Sequence, residues 1–189
     1  MILADPPWTY KVRTDKGRGR SAERHYATMS LDDICALPVA EHAARNSHLF
    51  MWCTGPTLVA GQPQQVCRAW GFEPSAMAFV WVKAKKGYEQ GSLWFTLDEG
   101  AFVKGMGHTT RQNAEFVLLG RRGSPKRLDK SIHQIIVAPR REHSRKPDDV
   151  HERIESYAPG PYLELFARQT RPGWDAWGNE TTKFDGAAA

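Results

Sequence analysis

The 189-residue sequence has few cysteines and no long apolar run, and both shortages exclude whole classes of protein. No stretch approaches the ~20 consecutive apolar residues of a membrane-spanning helix. Met1–Ala4 is followed at once by Asp-Pro-Pro, so no signal peptide is predicted either. The 3 cysteines (Cys35, Cys53 and Cys67) are an odd number without CxxC spacing, which argues against a disulfide framework and a cysteine zinc site. We therefore expect a reducing, cytoplasmic location.

Patterns typical of metal sites and phosphate loops are missing as well. The 7 histidines show no paired spacing of the kind that holds a metal ion, so no metal site is predicted.

The sequence does have 41% hydrophobic and 25% charged residues, which are ordinary values for a folded protein. Its length predicts a single domain over residues 1–184, with a loose tail at residues 185–189.

Basic residues are concentrated in two stretches, although the formal net charge is only +5. Residues 11–24 contain 6 lysines and arginines against 2 acidic residues, and residues 121–146 contain 9 against 2. A solvated surface loop would explain either stretch alone. Two such stretches in one small domain favour a polyanionic partner such as nucleic acid, because each phosphate contact releases counterions.

Apolar runs without polar alternation are separated by amphipathic segments along the chain. The predicted strands cover residues 1–4, 47–54, 75–83, 113–120, 132–138 and 162–167. Helices are predicted to begin at Ser30, near Pro63 and at Pro147. This pattern predicts an α/β fold with a mostly parallel sheet and helices on both faces. Ligands bind such sheets beyond the carboxyl ends of the strands, where Asp5 and Arg168 are expected.

The tetrapeptide Asp5-Pro6-Pro7-Trp8 is the sharpest local feature. Two prolines fix the backbone, so the aspartate and the carbonyl groups before them are held rigidly. An aspartate and a carbonyl could accept both N–H bonds of one planar amine, with a tryptophan as a stacking face. These acceptors would favour a pyramidal amine and expose its lone pair. The alternative is a simple strand-ending turn with an exposed tryptophan.

The tetrapeptide matches the DPPW motif of S-adenosylmethionine-dependent amino methyltransferases, and later segments extend the match. The sequence resembles the MT-A (70-kDa subunit) adenine-N6 methyltransferase family, in particular its short phage or bacterial members. The matching segments, in order, are residues 25–30, 49–54, 71–72 with 81–83, 115–120, 143–148, 164–168, 173–174 and 178–180. This resemblance implies a Rossmann-like methyltransferase fold with permuted motif order, in which the catalytic motif precedes the cofactor-binding segments.

The resemblance also assigns residues to the substrate. Asp5 and the Pro6 carbonyl would accept from the target N6 amine, and Pro7 and Trp8 would line the base pocket. Tyr26 matches a substrate-pocket tyrosine, although packing beneath the loop would also explain it. The basic residues expected to grip the nucleic-acid backbone include Lys11, Arg13, Arg18 and Arg20.

On the cofactor side, the resemblance implies that Asp5, Lys146, Glu164, Arg168, Asn179 and Glu180 bind S-adenosylmethionine. Lys146 would pair with the methionine carboxylate, although a surface lysine before a helix is the simpler interpretation. Glu164 lies inside an apolar strand and needs either a cation such as Lys146 or the cofactor beside it. A site-shaping role and a structural role stay open for Glu115.

These observations predict transfer of a methyl group from S-adenosylmethionine to adenine N6 in nucleic acid. DNA is the preferred substrate class, with RNA as the alternative. A target base in a duplex would have to be flipped out or already unpaired. A catalytically inactive, nucleic-acid-binding partner subunit is a further alternative, and a homodimer or a complex with a partner methyltransferase subunit is compatible with the sequence.

Overall fold

The computed structural model describes residues 1–9, 27–87, 99–105, 109–142 and 144–186. Seven strands form one sheet in the order β5-β3-β4-β2-β1-β6-β7. The strands are β1 (Ile2–Ala4), β2 (Ser47–Cys53), β3 (Glu73–Ala84), β4 (Ala114–Arg122), β5 (Ile135–Pro139), β6 (Tyr162–Leu165) and β7 (Trp174–Trp177). Every predicted strand is present, and β7 is an addition that the sequence did not indicate.

Five helices connect the strands in the described part of the chain. They are α1 (Leu31–Cys35), α2 (Val39–His42), α3 (Gly55–Val59), α4 (Gln62–Ala69) and α5 (Asp149–Tyr157), with a short 3-10 helix at Glu99–Ala101. The predicted start of α1 is confirmed, because the Ser30 side chain accepts a hydrogen bond from the Asp33 N–H at 3.1 Å. Gly71 ends α4 in a left-handed conformation with φ of 79°.

Six of the seven strands point in the same direction, and only β4 is reversed. β1 pairs in parallel with β2 and β6, β6 with β7, and β3 with β5, whereas β4 is antiparallel to both β2 and β3. The prediction of a mostly parallel α/β sheet is therefore confirmed. The carboxyl ends of six strands and the amino end of β4 meet at one edge. We call it the catalytic edge, because the sequence predicts the catalytic motif there.

Apolar side chains cover both faces of the sheet. On one face, residues of β1 and β2 pack against Ile34 of α1 and Val66 of α4. On the other face, they pack against Val150 and Ile154 of α5. Trp52, Trp70 and Trp81 belong to this core, as predicted, at 2%, 0% and 3% exposure. The sheet is therefore held between two helical layers, which fix the positions of its strand ends.

The described residues contain no helix that is both long and apolar enough to span a bilayer. They also contain no group of three or more histidine, cysteine or acidic side chains that could hold a metal ion. Cys53 and Cys67 are buried, and burial raises the pKa of each thiol to about 12. Both cysteines thus act as small apolar side chains.

Candidate active site

The turn after β1 places Asp5 at the catalytic edge. Pro6 and Pro7 are buried, and the Trp8 N–H donates to the Pro6 carbonyl at 2.8 Å. The Pro7 carbonyl accepts from the Met29 N–H at 3.0 Å. Because the prolines fix two φ angles and these bonds close the turn, the direction of the Asp5 side chain is set by the backbone.

Trp8 lies in the core and not on the surface. Its side chain is 4% exposed, and the indole Nε1 donates to the Trp52 carbonyl at 3.0 Å. This placement corrects the alternative of an exposed ring, whereas the contact between Trp8 and a base stays a prediction. A buried indole needs a partner for its N–H, and here that partner ties the turn to β2.

Asp5 belongs to a line of four alternating charges. Lys146 Nζ is 2.7 Å from Asp5 Oδ2 and 3.4 Å from Glu115 Oε2, and Lys83 donates to Glu115 Oε1. We call Asp5, Lys146, Glu115 and Lys83 the charge cluster. The Lys146 ammonium also lies 5.4 Å from the centroid of the Trp52 ring, which is near enough for a cation–π interaction. Each carboxylate therefore has at least one ammonium partner.

Glu115 is held in its charged form by this arrangement. Burial alone would raise the pKa of Glu115, but the charges and hydrogen bonds of Lys146 and Lys83 outweigh it and lower that pKa below the ordinary value of 4.5. Lys146 is in turn positioned by its own backbone. Arg141 donates to the Lys146 carbonyl at 2.7 Å and pairs with Asp148 at 2.8 Å.

The strand directions explain why residues so far apart in sequence meet here. Glu115 is the second residue of β4, and because β4 is reversed its amino end reaches the catalytic edge. Lys83 lies near the carboxyl end of β3, and Lys146 follows β5. Reading the sequence left the role of Glu115 open and missed Lys83, because the reversal of β4 has no local signal.

Glu164 has a partner that the sequence reading did not name. Its Oε2 lies 2.9 Å from Nε2 of His151, a residue of α5 that also packs edge-on against the Trp174 ring. Lys146, the cation suggested for Glu164 from the sequence, pairs with Asp5 and Glu115. The α5 helix brings His151 over β6, a contact that residue spacing alone does not predict.

A cleft opens beside the charge cluster and collects most of the predicted cofactor residues. Asp5, Lys146, Glu164 and Arg168 all line it, together with His151 and Phe166. Phe166 follows β6 with φ of 61°, a conformation that bulky residues rarely adopt. This turn brings the Phe166 ring to the cleft. The centroid of the ring lies 5.5 Å from that of the Trp177 ring. Neither His151 nor Phe166 was singled out from the sequence.

The last two predicted cofactor residues lie farther along the same edge. Glu180 pairs with Lys183 at 2.6 Å and lies 3.6 Å from Arg168, whereas Asn179 is exposed and does not line the cleft. Trp174 is 8% exposed and stacks on Tyr162, so it belongs to the core. The predicted substrate residues Lys11, Arg13, Arg18, Arg20 and Tyr26 lie outside the described residues.

The donor set of the cleft fits S-adenosylmethionine. Lys146 supplies an ammonium for a carboxylate, Asp5 and Glu164 supply acceptors for an amine or for hydroxyl groups, and Phe166 supplies an aromatic face. The family model for MT-A70 matches residues 1–180. The chain belongs to the MT-A70 family. This membership confirms the resemblance found in the sequence and, with it, the prediction of an S-adenosylmethionine-dependent adenine-N6 methyltransferase.

Relatives of this MT-A70 chain include proteins of very different length. The Type II methyltransferase M.MunI of Mycoplasma sp is 32% identical over 198 residues, covering 95% of this chain and 76% of that protein. The MT-A70-like N(6)-adenosine-methyltransferase of Drosophila melanogaster is 30% identical, covering 95% of this chain and 26% of that protein. The N(6)-adenosine-methyltransferase catalytic subunit METTL3 of Homo sapiens is 28% identical, covering 95% of this chain and 28% of that protein. The chain thus spans about a quarter of the length of the latter two relatives.

Proposed function

We propose that this chain methylates the N6 amine of adenine in DNA, with the Asp5-Pro6 turn as the catalytic element of a domain spanning residues 1–184. The observation that carries the proposal is the placement of the Asp5 carboxylate. It follows the central strand β1, lies at the catalytic edge, lines the cleft and is held at 2.7 Å by Lys146.

The geometry supports two separate acceptors for the two N–H bonds of the target amine. Asp5 Oδ2 accepts from Lys146, which leaves Oδ1 for one N–H of the target amine. The Pro6 carbonyl accepts one bond from Trp8, and its second lone pair suits the other N–H. Holding both N–H bonds in fixed directions turns the nitrogen lone pair toward the methyl donor.

Charge placement supports the same proposal. An amine that gains a methyl group becomes positively charged until it loses a proton, and the Asp5 carboxylate lies where that charge would develop. S-adenosylmethionine supplies an electrophilic methyl group on a sulfonium centre. Lys146, Glu164 and Arg168 would hold the cofactor in the cleft, with Glu180 acting through Arg168 and Asn179 beyond it. Direct transfer of this kind needs no covalent enzyme intermediate.

The share of each relative that the chain covers favours DNA over RNA as the substrate class. The chain covers 76% of a Type II methyltransferase, but only 26% and 28% of two N(6)-adenosine-methyltransferases. The basic residues at 11–24 would bind the phosphate backbone of either nucleic acid. The described cysteines are all unpaired, which supports a reducing compartment such as the cytoplasm.

The proposal is tested by methyl transfer from labelled S-adenosylmethionine to single-stranded DNA, duplex DNA and RNA of matched sequence. N6-methyladenine is detected by mass spectrometry. We expect DNA to be methylated, and Asp5→Ala to lower the rate by about a hundredfold or more while the cofactor still binds. Asp32→Ala, at an exposed acid of α1, is the matched control.

Three outcomes would count against this assignment. Methylation of RNA alone would replace DNA as the substrate class. Unchanged turnover in Asp5→Ala would remove the catalytic role of the turn. Cofactor binding without transfer to any of the three nucleic acids would favour an inactive, nucleic-acid-binding partner subunit.

A further inference from the structure

The second basic stretch is divided between the two edges of the sheet. Because β4 is reversed, it ends beside the start of β2. In the antiparallel register of these strands, Arg121 lies opposite His48 and Arg122 opposite Ser47. The chain after β4 therefore begins at the edge opposite the cleft, and only the residues after β5 return to the catalytic edge. The stretch at residues 121–146 therefore does not lie as a whole beside the cleft.

The loop that follows β4 is fastened to the body of the protein. Arg122 Nη1 donates to the Ala40 carbonyl at 2.6 Å, and the Ser124 N–H donates to Asn46 Oδ1 at 2.9 Å. The Leu128 N–H donates to the Tyr157 carbonyl at 2.8 Å, at the end of α5. Gly123 has φ of 64°, and an added Cβ there would lie 2.5 Å from the Arg45 carbonyl oxygen. This close approach brings Arg45 next to the loop.

The basic side chains of this region point to solvent. Five of them form what we call the far-edge basic surface: Arg45, Arg121, Lys126, Arg127 and Lys130, all exposed. Within the described part of the chain, none of these five forms an ion pair with a carboxylate. The acid inside the loop, Asp129, is instead occupied by the N–H and hydroxyl groups of Ser131 at 2.7 and 2.6 Å.

We propose that the far-edge basic surface binds the sugar-phosphate backbone of the same nucleic-acid molecule whose adenine occupies the catalytic edge. This inference rests on the proposed function. Exposed cations on and beside an anchored loop match a polymer of evenly spaced phosphates, whereas a protein partner would also need an apolar centre. Leu128 is the single large apolar side chain exposed within residues 121–130, at 67%.

The dimensions of the sheet turn this proposal into a length requirement. The two edges are separated by the length of β2, which has 7 residues, or roughly 23 Å at ~3.3 Å per residue. A nucleic acid rises ~3.4 Å per nucleotide, so about 7 nucleotides would be needed to span that distance. A short substrate would reach only the catalytic edge, while a long one would reach both.

The experiment compares the full chain with a triple variant, Lys126→Ala, Arg127→Ala and Lys130→Ala. Binding is measured by fluorescence anisotropy at several salt concentrations, with one central adenine in each DNA. The short DNA has 7 nucleotides, so only 3 follow the adenine on either side, or about 10 Å at ~3.4 Å per nucleotide. The long DNA has 40 nucleotides. The control is Lys85→Ala, Lys86→Ala and Lys104→Ala, which removes the same charge from exposed lysines near the carboxyl end of β3. Thermal unfolding checks that both triple variants are folded.

We expect the far-edge variant to bind the long DNA about tenfold more weakly and to lower the slope of log affinity against log salt by about 2 to 3. Its affinity for the short DNA should be unchanged. Equal binding of the long DNA by the variant and the parent would overturn the proposal and leave an acidic protein as the occupant. An equal loss for both lengths would overturn it too. Binding is read without methyl transfer, so a failure of the proposed function would be seen separately.

Discussion

Lys146 contacts Asp5 at 2.7 Å, although 141 residues separate them in the sequence. The contact makes one ammonium group the neighbour of both Asp5, the proposed catalytic residue, and Glu115. Lys146 also lines the cleft that suits the cofactor. A single lysine thus connects the Asp5 carboxylate with the cleft proposed for the methyl donor.

Replacing Lys146 with methionine should lower both the rate of methyl transfer and the affinity for the cofactor. We expect the rate of methyl transfer to fall by about a hundredfold, because a hydrogen bond to a charged group contributes ~1.5–3 kcal/mol. Cofactor affinity, measured by calorimetry, should fall as well. Lys85→Met, at an exposed lysine, is the control. Normal cofactor affinity together with normal turnover would mean that the ammonium has no role at the site.

Glu115→Gln removes one charge from the middle of the charge cluster while keeping the size of the side chain. Lys146 and Lys83 would then share a neutral partner, so we expect Lys146 to be held less firmly and turnover to fall about tenfold. Single-turnover kinetics with saturating cofactor would measure this. Glu152→Gln, at an exposed residue of α5, should leave the rate unchanged. A rate equal to that of the parent would restrict Glu115 to a structural role.

The contact between His151 and Glu164 should affect the affinity for the cofactor. His151→Phe leaves the Glu164 carboxylate without its 2.9 Å partner, and His151→Gln keeps a side-chain donor. We expect cofactor affinity to fall about tenfold in the first variant and to be partly retained in the second, since an unpaired, partly buried carboxylate costs ~1–3 kcal/mol. Equal affinities for the two variants would show that the hydrogen bond is unimportant.

Gly178 packs too closely against the chain after β6 to accept a side chain. An added Cβ would lie 2.8 Å from the Ala167 carbonyl oxygen and 3.0 Å from the Ala167 nitrogen. Gly178→Ala should therefore lower the free energy of unfolding by about 1–3 kcal/mol and displace the neighbouring Asn179. Gly55→Ala is the control, because its nearest neighbour would be 3.8 Å away. Urea unfolding of both variants measures the difference.

Acid should destabilise the fold through His48. Burial lowers the pKa of His48 to about 4, from 6.5 in an unfolded chain, and its ring packs edge-on against Tyr157 at 5.0 Å. Between these two pH values the unfolded chain binds a proton that the folded chain does not, so stability falls as the pH decreases. We expect a loss of about 2 kcal/mol between pH 7 and pH 5, from urea unfolding. In His48→Phe the part of the stability loss that arises from His48 should be absent. An identical pH dependence of stability in both proteins would contradict this role of His48.

The strands and the tight turn at Asp5-Pro6-Pro7-Trp8 could be predicted from the sequence because their signals are local. Buried strands such as β2 consist of continuous apolar residues, and Asp5-Pro6-Pro7-Trp8 is contiguous. The short strand β7 was missed because only 4 residues form it and its exposure alternates between neighbouring positions. Helix α3 was missed because Gly55-Pro56 also suits the end of a strand, although proline is equally suited to the first turn of a helix.

The contacts inside the site could not be predicted because they depend on strand direction and helix packing. Only the reversal of β4 brings Glu115 to the catalytic edge and takes Arg121 away from it. Likewise, His151 meets Glu164 because α5 lies across β6. Neither arrangement leaves a trace in the spacing of the residues themselves.

The central position of β1 has a consequence for how the protein folds. Leu3 pairs with Phe50 on one side and with Glu164 on the other, so its two neighbours lie 114 positions apart in the sequence (164 − 50). Contacts between such distant segments form slowly, because a long loop must close before they contribute any stability. The aspartate after β1 and the glutamate of β6 therefore come together only once the middle of the sheet is complete. Recovery of methyl transfer during refolding should consequently follow closure of the sheet centre and not the earlier formation of local helices.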